Sequence, residues 1–173
     1  SFGARWAIAV VAMLIALIGG RITPSFTRNW LMRIGRPAAS ANVSLVDKIA
    51  LGGGGAALIC WLVSPAGLLT AAFLFAASVL HLVRLAQWRG WRTTAEPLVT
   101  ILHVGYFWLA FAFSVLAASA AFPDLVQSST ALHALTTGAA GVMILAVMTR
   151  ATRGHTGRPL TADAATIAIY GLA

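Results

Sequence analysis

Two uncharged stretches limit how this chain can fold. Leu125 to Thr149 runs for 25 residues without Lys, Arg, Asp or Glu. As a helix it extends about 37 Å at ~1.5 Å per residue, enough for a hydrocarbon core of ~30 Å. Ile49 to Val83 runs for 35 such residues, about 52 Å on the same scale and too long for one crossing. In lipid, backbone N–H and C=O groups must be satisfied without water, so stretches of this kind are helices. Only 9% of the residues are charged and the mean hydropathy is +0.87, whereas an ordinary soluble domain is about one quarter charged. The chain is an integral membrane protein of the all-α class.

Breakers divide the apolar stretches. Ser64-Pro65-Ala66-Gly67 splits the 35-residue run, because the residue before proline is pushed out of the helical region and glycine follows. A single broken helix is the alternative to this hairpin. The spans then read as 4–20, 46–64, 66–85, 98–121 and 129–149, with a truncated sixth at 164–173, in one transmembrane helical domain over 1–173. The helix leading from His133 toward Leu160 reads as the one the others pack around. The first residue is Ser1 and the last apolar run stops at Ala173, so the sequence reads as a piece of a longer polytopic protein. Between Arg21 and Lys48 lies a polar connection with Pro24 and Pro37 as breakers. Phe26, Trp30 and Ile34, four residues apart, predict a short interfacial helix there.

A net charge of +8 on a soluble chain would point to nucleic acid. In a membrane chain, basic residues collect in cytoplasmic loops. The segments 21–48, 84–97 and 150–163 hold five, three and three of the 12 Lys and Arg residues, leaving only Arg5. These segments are therefore expected in the cytoplasm, with the lipid bilayer rather than nucleic acid as partner. Cys60 is the single cysteine, so there is neither a disulfide framework nor a CxxC pair.

The acidic residues Asp47, Glu96, Asp124 and Asp163 all fall at segment ends. No carboxylate pair, Ser/His/Asp set or phosphate loop can be assembled from this sequence. Four histidines remain, and a histidine at membrane depth is expensive unless it is paired or bound. His103 follows Pro97 by about 9 Å of helix and His133 precedes Arg150 by about 25 Å at ~1.5 Å per residue, so the two lie at different depths and do not clamp one iron. Each is expected to be buried, as a metal ligand or a hydrogen-bonded structural residue. His81 reads as an interfacial histidine exposed to water. Alternatively, it joins His103 and His155 in a cytoplasmic cluster able to ligate haem or copper, with Arg150, Arg153 and Arg158 pairing to propionates.

Three blocks carry a resemblance: Gly19-Gly20-Arg21-Ile22-Thr23-Pro24-Ser25-Phe26-Thr27; Leu102-His103-Val104-Gly105-Tyr106-Phe107-Trp108-Leu109; and residues 131–160, with LHALTTGAAGVMILAVMTRATRGHTGRPL. Together they resemble the NnrS family of bacterial inner-membrane proteins over essentially the whole chain. The resemblance implies about a dozen helices in the whole protein, bound haem and copper, and a role in the nitric oxide response. It places the family's motif histidines on His103, His133 and His155, and the arginines of its last block on Arg150 and Arg158. His81 lies outside these motifs. The resemblance names no reaction. The competing reading is a transporter or partner-binding subunit whose histidines only brace helices.

Overall fold

The computed structural model describes residues 2–37 and 43–172. Among them all regular structure is helical: α1 (Phe2–Arg33), α2 (Leu45–Val63), α3 (Leu68–Gln87), α4 (Pro97–Ala121), α5 (Ser128–His155) and the short α6 (Ala164–Leu172). The first five are long and apolar enough to cross a membrane.

Local sequence sets most of the ends. Ser44 caps α2, accepting from the Asp47 N–H while Asp47 accepts the Ser44 N–H in return. Ser64-Pro65-Ala66-Gly67 is the tight turn of a hairpin. Gly67 takes φ 120°, a value that favours glycine, and its N–H donates to the Ala120 carbonyl at 2.9 Å. Pro97 opens α4 at the first helical position, with the Glu96 carboxylate accepting from the Leu98 N–H. Asp163 caps α6 through the Thr166 N–H. Three of the four carboxylates therefore serve helix starts, where the positive end of the helix dipole favours them.

Two expectations are corrected. The interfacial helix around Phe26, Trp30 and Ile34 is instead the end of α1, which runs without a break through Pro24 to Arg33, with Ile34 just beyond it. Proline in a helix removes one N–H and crowds the carbonyl four residues back. Here that carbonyl belongs to Gly20, and a wider π-turn at Ile15–Gly19 comes just before it. Residues 38–42 of the connection lie outside the described residues. The second correction concerns the centre. The helix the others surround is α4, not α5: α4 packs on α1, α3 and α5 and is the most buried of the five.

Lipid tails are as apolar as Leu, so the bundle is held by close packing and interhelical hydrogen bonds. Ser78 on α3 donates to the Ala110 carbonyl on α4 at 2.8 Å and meets Ser114 at 2.7 Å. On the other side of α4, Trp108 lies against Gly138, where an added Cβ would stand 2.6 Å from the indole. Gly138 belongs to a second π-turn, Ala134–Gly141. Trp6, Leu14, Leu17 and Ile18 form the exposed apolar edge of α1, as a lipid-facing surface requires.

Candidate functional site: a buried polar layer around Tyr106

One turn along α4 from the Ser78 contact, and on the same face, an arginine is sealed inside the bundle. Arg84 on α3 is 3% exposed, and a guanidinium sealed from water needs partners on every side. Its Nε donates to Asp47 Oδ1 at 2.7 Å, and its Nη1 donates to the Tyr106 hydroxyl at 2.7 Å and the Ala16 carbonyl at 2.8 Å. Nη2 lies 3.5 Å from the Gly20 carbonyl. Both carbonyls sit where α1 is irregular: Ala16 lies in the π-turn, and Gly20 is the residue whose helical donor Pro24 removes. The same spot requires a bare backbone, since a Cβ on Gly20 would fall 2.5 Å from the guanidinium. Asp47 and Arg84 stand equally far from the Pro65-Ala66 turn, so folding the α2–α3 hairpin brings them together. That symmetry was the available signal for a pair that sequence reasoning missed.

His81, one turn before Arg84, is fully buried rather than exposed at the interface. It stacks on Phe113 at 5.3 Å between ring centroids, and its Nδ1 is 2.9 Å from the Tyr106 hydroxyl. Its Nε2 has no partner among the described residues and faces Gly54, where a Cβ would lie 2.8 Å away. Tyr106 already accepts from Arg84, and arginine accepts nothing. The hydroxyl proton is therefore used only if it goes to His81 Nδ1. In that tautomer Nε2 carries the ring's own proton, so His81 presents a donor toward Gly54.

His103 is the converse case. It is buried at 8% exposure, and its Nε2 is 2.8 Å from Thr27 Oγ1. Thr27 donates its single proton to the Thr23 carbonyl at 2.8 Å, so it accepts from His103 Nε2–H. Both bonds form only in this tautomer, which leaves His103 Nδ1 a bare lone pair. That atom has no partner among the described residues and points at Gly90, where a Cβ would stand 2.6 Å from it. His103 also lines an apolar groove of about 410 Å³ with Leu82, Leu85, Trp91, Val104 and Phe107. Trp88 lies between His103 and Tyr106, 6.4 Å from the first and 4.6 Å from the second between ring centroids.

His133 is exposed, contrary to the expected burial. It lies in the first turns of α5, where its Nδ1–H donates to the Ser129 carbonyl at 2.7 Å, leaving Nε2 bare. Gly105 packs on Met143 and Gly138 on Trp108, so His133 is level with about Phe113. That puts it ten residues from His103 along α4, about 15 Å at ~1.5 Å per residue. The two lie in separate layers.

His155 is exposed at the end of α5, as is Arg158 beyond it. Arg150 is half-buried, its guanidinium 4.0 Å from the Phe26 ring centroid. The alternative reading, a cluster of His81, His103 and His155, does not form. No group of three His, Cys, Asp or Glu able to hold a metal occurs among the described residues; His81 on α3 and His103 on α4 are buried in the bundle, while His155 is exposed at the end of α5.

Five helices long and apolar enough to cross a membrane, packed around a sealed Asp–Arg–Tyr–His layer, define a multi-pass membrane protein. The chain belongs to the NnrS protein family, which matches residues 1–173. Comparison with curated proteins and with solved structures returns no match.

Proposed function

We propose that this protein is a haem-binding membrane protein of the nitric oxide response, with His103 and His133 as the metal-facing imidazoles of two separate layers. The observation that carries this reading is the hydrogen bonding of the two rings, from which the allocation of their protons is inferred. In each of these histidines one nitrogen is tied through its N–H and the other is a bare lone pair. That is the orienting arrangement seen at metal-ligating histidines. A glycine at position 90 keeps side-chain atoms away from the His103 lone pair.

The donor set suits haem better than copper. A porphyrin brings four nitrogens and asks the protein for one or two axial ligands. A copper ion at His133 needs further donors that the described residues do not bring to it. Arg150 and Arg158 are the cations for haem carboxylates, and His155 is a solvent-side nitrogen beside them. When bound, such a metal centre supplies the coordination position at which nitric oxide is held. The gas is small and apolar, so it reaches the centre laterally from lipid. The basic ends of the helices lie on the cytoplasmic side of a bacterial inner membrane under the positive-inside bias. Bracing, the competing role for histidines, is supported at His81, whose free nitrogen carries a proton and whose other nitrogen ties α3 to α4.

The test is an optical spectrum of the purified full chain, expressed with ample haem, before and after nitric oxide. A Soret band that shifts with the gas is expected. A colourless, folded protein overturns the proposal.

A further inference from the structure

Between α1, the start of α2 and the end of α3 lies a cavity of about 780 Å³. Arg21, Arg28 and Arg84 line it, and Asp47 is its one acidic lining residue. The Asp47 carboxylate is already used, Oδ1 by Arg84 and Oδ2 by the Ser44 N–H and hydroxyl. The donors are not used to the same extent. Arg28 Nε is buried with no acceptor among the described residues, and Arg84 Nη2 has only the Gly20 carbonyl at 3.5 Å. The polar wall therefore carries surplus positive charge and unmatched N–H groups. The opposite edge is formed by Leu17 and Ile18, 42% and 52% exposed and continuous with the lipid-facing edge of α1.

We propose that this cavity holds the head group of an anionic phospholipid, its phosphate against Arg21 and Arg28 and its acyl chains over Leu17 and Ile18. An anion answers the surplus of donors. A lipid, rather than a free anion, answers the apolar edge that opens to the bilayer. Zwitterionic heads fit less well, because the only carboxylate in the wall has no capacity left for an ammonium group. Basic pockets between transmembrane helices on the basic side of a membrane recognise head groups in this way. The inference goes beyond metal binding and does not depend on it.

The test is native mass spectrometry of the detergent-purified full chain, titrated with phosphatidylglycerol and with phosphatidylcholine of the same acyl chains. The wild type is expected to retain phosphatidylglycerol preferentially. Arg21→Gln and Arg28→Gln each lower that preference roughly fivefold, the attraction of one basic side chain at a membrane surface. Arg28→Lys, which keeps the charge, retains most of the preference and guards against a folding defect. Arg89→Gln, outside the cavity, leaves it unchanged. Equal retention of both lipids, a preference that survives the double Arg21→Gln, Arg28→Gln variant, or displacement of the lipid by inorganic phosphate overturns the proposal, the last by identifying a small-anion site.

Discussion

Removing the Thr27 hydroxyl is the smallest change that alters what His103 offers. In Thr27→Val the His103 Nε2–H loses its acceptor. A buried donor left unmade inside a helix bundle costs about 1–2 kcal/mol, and the imidazole is released from the tautomer that bares Nδ1. Thr27→Ser keeps the hydroxyl and is expected to behave as wild type; unfolding of the detergent-solubilised protein by denaturant measures both. The Arg84 network should respond more strongly. Arg84→Met leaves Asp47 buried without its guanidinium partner, a loss of about 3–5 kcal/mol. Adding Asp47→Asn should restore much of that, because the double variant strands no charge. A double-mutant cycle in the same unfolding assay checks it, and additive losses would show that the two side chains act separately.

At the scale of elements, the glycines of α2 separate packing from propensity. Gly54 needs its bare backbone because His81 Nε2 stands 2.8 Å from where a Cβ would be, whereas nothing lies within 4 Å of such a Cβ at Gly52. Gly54→Ala is expected to cost about 1–3 kcal/mol by overpacking. Gly52→Ala is expected to be neutral or stabilising by up to about 1 kcal/mol from helix propensity. Thermal unfolding of the two variants side by side decides it, and equal effects would mean that the α2–α3 contact is not close. On the basic side, the Thr166 hydroxyl, Arg153 and the Thr166 N–H hold the Asp163 carboxyl well below the usual carboxylate range. A depressed folded value means that the stabilisation is present above the unfolded value near ~3.9 and fades as pH falls from there through the lower folded value. Hydrogen exchange of residues 164–172, corrected for intrinsic rate, should therefore be equally protected at neutral and mildly acidic pH. In Asp163→Asn it should be less protected at both.

These elements also show what a sequence can and cannot disclose. The helical class, the apolar crossings and the turn at Ser64-Pro65-Ala66-Gly67 follow from uncharged length and from proline and glycine chemistry, which act locally. The continuation of α1 through Pro24 was hidden, because it depends on a π-turn upstream and on a guanidinium arriving from α3 to meet the freed carbonyls. His81 was underrated for the same kind of reason. Its burial is decided by Tyr106 and Phe113 on α4, a helix far along the chain. The exposure of His133 was equally invisible, since hydropathy places a residue at a depth and not on a face of its helix.

For the whole molecule, the arrangement predicts an orientation and a chemistry. The ends of α1, α3 and α5 carry Arg33, Arg84 and Arg153, with Arg89, Arg92 and Arg158 just beyond the last two helices. The turn at 64–67 carries no Lys or Arg, nor does 122–127. Cysteines introduced singly at Arg89 and Asp124, in a Cys60→Ala background, should therefore react with an impermeant thiol reagent from opposite sides of the membrane, Asp124→Cys from outside. Labelling of both from one side would contradict the orientation. The central claim concerns which imidazoles face a metal, and ring-proton allocation divides them: bare lone pairs at His103 and His133, a proton at His81. The most direct measurement is the optical spectrum of the haem-loaded full chain with His103→Ala, His133→Ala or His81→Gln. The account predicts that the Soret band is lost or shifted by changes at His103 or His133 and survives His81→Gln. A band indifferent to His103 and His133 but lost in folded His81→Gln would contradict it.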